Sequence, residues 1–275
     1  MPSAGLPDGY EPAGTLNFRD VGGIPAGAGR RVARGRLFRS DTLQYLTRGD
    51  VDVLVRGLGL RTVVDLRLGY ELRIEGRGLL EHEPVRHVHL PFIVEGAVRK
   101  GTATPILSRK DPIVSHYLGY LASSPGSVAA VVHTLAGDDA LPAIVHCAAG
   151  KDRTGVAVAV VLAAVGVAAA DIATEYAASA ERVVPVMERL RGMKSYGDAV
   201  DRLPPEANIT PPEYMLRFLD AVGERYGGMR AFLLSNGVTQ DELDRLTERL
   251  TSVDRPAVIP APEPAAPSTT TPTVS

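Results

Sequence analysis

LPAIVHCAAGKDRTGVAVAVVLAAVG, Leu141–Gly166, decides how this chain folds. It opens on LPAIVHC, a short apolar run of strand character bounded by proline. It closes on TGVAVAVVLAAVG, an apolar run read as a buried helix. The residues from Cys147 to Arg153 join the two as a loop. A strand that feeds a helix in this way belongs to a parallel sheet. The loop then lies at the helix N-terminus, where unpaired amides and the positive end of the helix dipole make an anion site.

The flanking sequence repeats the alternation. TRGDVDVLVRGLG (Thr47–Gly59) has a helical pattern and LRTVVDLR (Leu60–Arg67) is a β-branched strand. VRHVHLPF (Val85–Phe92) alternates as a half-buried strand, and SVAAVVHTL (Ser127–Leu135) is helical. The expected fold is α/β, a largely parallel central sheet flanked by helices. Beyond Asp171 the chain reads as helices packed on that sheet. TPPE (Thr210–Glu213) and TQDE (Thr239–Glu242) each match a capping box, with Pro211 at the first helical position. The last stretch is rich in proline, alanine and threonine and has no apolar periodicity, so it is expected to be a disordered tail. The domain plan is an N-terminal extension over 1–13, one domain over 14–252 and the tail over 253–275.

Composition sets the outer bounds. The 275 residues are 45% hydrophobic and 23% charged, with a net charge of −2, the balance of an ordinary globular protein. There is no basic excess to point to nucleic acid or an anionic membrane. The uncharged run Thr154–Ala170 falls short of the about 20 apolar residues of a membrane span and contains two glycines. A single cysteine forms no internal disulfide and suits a reducing compartment. The N-terminus lacks the apolar core of a signal peptide. The expectation is a cytoplasmic protein without an integral membrane segment.

A lone cysteine is ordinarily a small core side chain, and its neighbours overturn that reading here. Helix N-termini and nearby cations lower a thiol pKa to roughly 3.5–7.5, so the setting favours a thiolate nucleophile at Cys147. Arg153 closes the loop with a planar fork suited to two phosphate oxygens. Gly150 lets the backbone approach an anion. Thr154 can donate its hydroxyl to the sulfur, and His146 is read as a hydrogen-bonded scaffold residue. Lys151 faces a second anionic group or is a solvated loop lysine. A nucleotide-binding P-loop would require glycine at Val145 and serine or threonine at Asp152, and fails at both.

HCAAGKDRTG (His146–Gly155) resembles the Cys-x5-Arg signature of the protein tyrosine phosphatase superfamily. GKDRTG within it is similar to the atypical bacterial members. LNFRDVGG (Leu16–Gly23), GRLFRSDTL (Gly35–Leu43), VVDLR (Val63–Arg67) and YGGMRAFLLSNGVTQDELDRL (Tyr226–Leu246) carry the resemblance over residues 14–250. It implies hydrolysis of phosphate monoesters through a phosphocysteine intermediate, with no metal or organic cofactor. Phosphotyrosine in a protein is the first substrate class and a phosphoinositide the second; a non-catalytic phosphate-binding module is the alternative outside enzymes. Catalysis is assigned to Cys147, Arg153 and Asp152. Substrate binding falls to Ala148, Ala149, Gly150, Lys151, Thr154 and Asp65. A phenolate leaving group needs a proton: Asp152 is preferred as the donor and Asp65 is the alternative. Arg19 and Asp20 are read as paired structural charges. The stretch Ile93–Pro112 is read as a solvated loop in preference to a lid.

Overall fold

The computed structural model describes residue 6, residues 9–93 and residues 111–253. The β-branched runs become β1 (Arg19–Asp20), β2 (Arg30–Val32), β3 (Leu37–Ser40), β4 (Thr62–Asp65), β5 (Arg86–His89), β6 (Ala143–His146) and β7 (Thr251–Val253). A five-stranded sheet has the order β1-β3-β6-β4-β5, and β2 pairs with β7 in a separate ribbon. All its pairings are parallel except that of β1, which runs antiparallel to β3 at one edge. The α/β expectation therefore holds. Every residue of β3, β4 and β6 is buried, as expected of parallel strands covered on both faces.

The helices are α1 (Arg48–Asp52), α2 (Gly69–Glu75), α3 (Pro112–Ser123), α4 (Pro125–Ala136), α5 (Asp152–Ala164), α6 (Ala169–Ala177), α7 (Val183–Arg191), α8 (Pro212–Tyr226), α9 (Met229–Ser235) and α10 (Gln240–Leu250). Among them α5 is central. Its residues Val156–Leu162 are all buried, against β3 and β6 and against α3, α4, α6 and α9. Valine is a mediocre helix former; burial on every side, rather than propensity, holds this segment helical. No helix among the described residues is long and apolar enough to cross a membrane.

Register places the site. In β6, His146 lies level with Ser40 of β3 and with Asp65 of β4. The chain thus leaves three adjacent strands at one height, and Asp41, Leu66 and Cys147 all start at the carboxyl edge of the sheet, where open α/β sheets bind ligands.

Four boundaries differ from the sequence reading. Helix α5 starts at Asp152, so Asp152 and Arg153 sit in its first turn rather than in the loop. Helix α8 starts at Pro212 and is capped at Pro211 with no side-chain bond. A residue that precedes proline is pushed out of the helical region, so Pro211 stays extended and Thr210 cannot be the cap. Val253, assigned to the tail, pairs with Arg30. Ahead of residue 14, the Tyr10 hydroxyl and the Ala13 amide both donate to Asp50 Oδ1, so these residues pack on the domain. The lid or loop reading of 93–112 and the tail fall, over 94–110 and 254–275, outside the described residues.

The capping box at Thr239 forms, with Thr239 Oγ1 accepting from the Glu242 amide and Glu242 from the Thr239 amide. Thr239→Ala should lower stability by about 1 kcal/mol, read as a lower denaturation midpoint with activity intact. An unchanged midpoint would show that α10 does not depend on this cap.

Candidate active site

The loop after β6 is held open by bonds made on its outer side. The Ala148 carbonyl accepts from the Thr42 amide at 3.1 Å. The Asn17 side chain donates to the carbonyls of Ala149 at 3.3 Å and Gly150 at 3.1 Å. Arg39 donates to Gly150 O at 2.6 Å and Lys151 O at 3.4 Å, and the Gly155 amide to Lys151 O at 2.8 Å. In a trans peptide the N–H points opposite to the C=O. The amides of Ala149 through Asp152 therefore face the inside of the loop, a concavity suited to an anion. The Gly150 amide donates to Cys147 Sγ at 3.2 Å. Gly150 has φ +67°, and a Cβ there would lie 2.5 Å from the Asp41 nitrogen and the Ser40 oxygen. No other residue fits that position.

Arg153 is nearly buried and fully engaged at its fork. Its Nη1 and Nη2 meet Glu71 of α2 at 2.6 and 3.1 Å, and Nη2 also reaches the Tyr196 hydroxyl at 2.8 Å. Tyr196 in turn donates to Glu71. Burial opposes the charge on Arg153, and Glu71 more than restores it. Among the described residues Arg153 Nε has no partner, which leaves that edge for a ligand.

Lys151 is 4% exposed and its Nζ donates to Asp152 Oδ1 at 3.0 Å, so the solvated-lysine reading does not hold. Tyr117 also donates to Asp152 Oδ1, at 2.7 Å. Burial would raise the Asp152 pKa, but the charge of Lys151 and the two hydrogen bonds outweigh it and bring it below the ordinary value. The carboxylate still has 29% of its side chain in solvent. Thr154 is fully buried, and its hydroxyl has no hydrogen-bond partner among the described residues, the Cys147 sulfur included.

Asp65 is not where the sequence reading put it. Its carboxylate is fully buried. It accepts from Arg67 Nη2 at 2.6 Å, from the Arg67 amide at 3.0 Å and lies 3.2 Å from His87 Nε2. His146 Nε2 is 3.5 Å away. Burial works against its ionisation, yet His146, His87 and Arg67 hold it well below the usual carboxylate range. A strand-end carboxylate so fully partnered has no lone pair or proton to offer a substrate. It braces His146, whose Nδ1 lies 3.2 Å from the Cys147 carbonyl. Burial pushes the His146 pKa down to about 4, against the pull of Asp65, so this imidazole is neutral at pH 7.

The sequence pattern of the tyrosine phosphatase family matches residues 10–252. The chain belongs to that family. A putative tyrosine-protein phosphatase of Cupriavidus necator is 34% identical over 172 residues, 60% of this chain and 61% of that protein. The triple specificity protein phosphatase PtpB of Mycobacterium tuberculosis is 27% identical over 271 residues, 85% of this chain and 95% of PtpB. A TpbA variant of P. aeruginosa, solved in complex with pTyr, aligns over 82% of this chain and 98% of that one, at 15% identity and a TM-score of 0.27. The phosphatase reading and the family resemblance both stand.

Several residues that shape the candidate site were not singled out from sequence. Asn17, Arg39 and Asp41 lie inside LNFRDVGG and GRLFRSDTL, so the resemblance marked their segments but not their tasks. Asp41 is fully buried, accepts from the amides of Leu16 and Asn17 at 2.9 and 3.0 Å, and thereby sets the Asn17 side chain. Arg39 is balanced by Glu175 at 2.5 Å, and Glu175 is shared with Arg19 at 2.8 Å. Arg19 and Asp20 are thus each paired, though not to each other; Asp20 accepts from the amides of Gly22 and Gly35. Glu71, Glu175, Tyr117 and Tyr196 carried no signal in the sequence.

The buried His146 makes folding stability depend on pH. Between pH 6.5 and about 4 the unfolded chain binds a proton that the folded chain refuses, so this contribution is complete above pH 6.5 and is lost as pH falls toward 4. The loss is about 3 kcal/mol. Denaturation at pH 7 and pH 4.5 should show this drop, and His146→Asn should flatten it; equal stability of the parent protein at both values would contradict a neutral, buried His146.

Proposed function

We propose that the chain hydrolyses phosphate monoesters through Cys147, with protein phosphotyrosine as its substrate class. The observation that carries this reading is the inward-facing row of amides from Ala149 to Asp152 above the Cys147 sulfur. An arriving phosphate seats three oxygens among these amides and the free edge of Arg153. The sulfur attacks phosphorus in line with the ester oxygen, the P–O bond breaks, and the ester oxygen takes a proton from Asp152. Water then attacks the phosphocysteine, Asp152 recovers the proton, and inorganic phosphate leaves with the thiolate restored. Charge stabilisation by donors fixed in advance is the largest part of such catalysis.

Asp152 as the acid is supported by its partial exposure in the first turn of α5, against the burial of Asp65. In the free protein Asp152 is ionised. The negative charge of a bound phosphate raises its pKa, so proton uptake accompanies substrate binding. Phosphotyrosine is favoured over a phosphoinositide because Lys151, the residue that would meet an additional phosphate, is buried and already bound to Asp152. The name of the Cupriavidus necator relative, a tyrosine-protein phosphatase, points the same way.

Cys147→Ser should bind phosphate but turn over at less than about a hundredth of the parent kcat, a barrier increase above ~2.7 kcal/mol. A serine variant above that level would refute the covalent route. Asp152→Asn should slow phosphotyrosine hydrolysis by roughly 10²–10⁴-fold and remove the alkaline limb of the kcat–pH profile. With aryl phosphates whose phenolates depart unprotonated, the loss should shrink in kcat/KM, which reports transfer of the phosphoryl group to Cys147 and not the later hydrolysis. A loss that is the same for every leaving group would exclude Asp152 as the acid.

A further inference from the structure

Behind Asp152 stands a pair of tyrosines that the mechanism so far leaves unused. Tyr117 of α3 and Tyr176 of α6 are both buried, and their hydroxyls are 2.7 Å apart. Tyr117 has one hydroxyl proton, and it goes to Asp152 Oδ1 at 2.7 Å. The contact between the phenols then has one direction, with Tyr176 donating to Tyr117. Lys151 Nζ donates to the same Oδ1. Asp152 Oδ2 has no partner among the described residues.

This asymmetry has a chemical consequence. An oxygen that accepts two donors, one of them charged, is the poorer place for a proton. We propose that Tyr117 and Tyr176 are positioning residues that reserve Oδ1 of Asp152 for acceptance, so that Oδ2 carries the proton and delivers it to the leaving ester oxygen. In that step the Oδ2–H bond breaks, a new O–H bond forms on the ester oxygen, and the pair from the broken P–O bond is neutralised there. Tyr117 and Lys151, both donating to Oδ1, also oppose the rotation that would exchange the two oxygens, and Tyr176 holds the Tyr117 hydroxyl in place. The proposal rests on Asp152 as the general acid.

The groups around Asp152 fit a donor chain that stays intact across the working pH. From α3 come Tyr117, Tyr120 and His116, whose Nε2 is 2.7 Å from the Tyr120 hydroxyl. Burial lowers the His116 pKa, against the pull of Asp152. From α6 comes Tyr176, near the charge of Arg39 and the phenol of Tyr214. The loop supplies Lys151, and Arg153 follows Asp152 in α5. Burial, and then the Asp152 charge, raise the pKa of both Tyr117 and Tyr176, so both phenols keep their protons.

The test is a set of kcat–pH profiles for Tyr117→Phe, Tyr176→Phe, Asp152→Asn and the double variant Tyr117→Phe/Asp152→Asn. Each is measured with a phosphotyrosine peptide and with an aryl phosphate of low leaving-group pKa. Removing a donor to the ionised carboxylate favours the protonated form, so Tyr117→Phe should move the alkaline limb upward by about one pH unit. Tyr176→Phe should move it the same way by less. Neither variant should alter kcat/KM, which reports the leaving-group step alone, with the low-pKa leaving group, and the double variant should match Asp152→Asn alone. A limb unmoved in Tyr117→Phe, or an equal loss with both substrates, overturns the proposal and leaves the tyrosines as packing. Persistence of the limb in Asp152→Asn would instead overturn the assignment of the acid itself, which the single tyrosine variants do not probe.

Discussion

Arg39 holds the loop after β6 by its carbonyls, and the rest of the site depends on that grip. A fully buried guanidinium pulls Gly150 O and Lys151 O outward, and Asn17 does the same for Ala149 and Gly150. The amides on the other side of those peptides have no choice but to face Cys147. A buried cation needs a counter-charge, since an unpaired one costs several kcal/mol. Glu175 supplies it, Arg19 shares Glu175, and Arg19 Nη1 also donates to Asn17 Oδ1 at 2.6 Å. One connected network of charges thus shapes the anion cradle without any charge of its own entering it.

Around the cradle, acids and bases are sorted by layer. Below, Asp65, Arg67 and a neutral His146 form a closed cluster that supports the strand end leading into Cys147. Above, Glu71 and Tyr196 orient Arg153 and leave one edge of it free. To the side, Lys151 and the two tyrosines fix one oxygen of Asp152 and leave the other to solvent. Of the five carboxylates that shape the candidate site, Asp41, Asp65, Glu71, Asp152 and Glu175, only Asp152 keeps an oxygen without a partner among the described residues. Environment, not residue type, separates the acid from the supports.

The sequence made the framework legible because strand, loop and helix lie contiguously in Leu141–Gly166, and hydrophobic period and loop chemistry could be read together. It placed Cys147, Arg153 and the helix N-terminus in one site, and the family motifs extended this to the segments of Asn17 and Arg39. It misplaced Asp65, because a carboxylate at a strand end looks the same whether it faces a pocket or a buried arginine; only the neighbouring strand, with His87, decides. Glu71, Glu175 and Tyr196 were invisible for a related reason. Glu71 and Glu175 are charged residues in short helices, which by themselves read as a solvated face, and Tyr196 lies in the turn segment after α7; the role of each comes from partners far away in the chain. TPPE misled at short range, since the second proline shifted the helix start by one residue.

In the proposed mechanism the amide cradle delivers a phosphoryl group to Cys147. The most direct test is mass spectrometry of the protein after a rapid denaturing quench during turnover of a phosphotyrosine peptide, with peptide mapping of the phosphate. Phosphate should appear on the peptide carrying Cys147, accumulating more in Asp152→Asn with a leaving group that needs no proton, because hydrolysis of the intermediate then lacks its base. Steady turnover with no phosphate on Cys147, or with phosphate mapped to another residue, would contradict it.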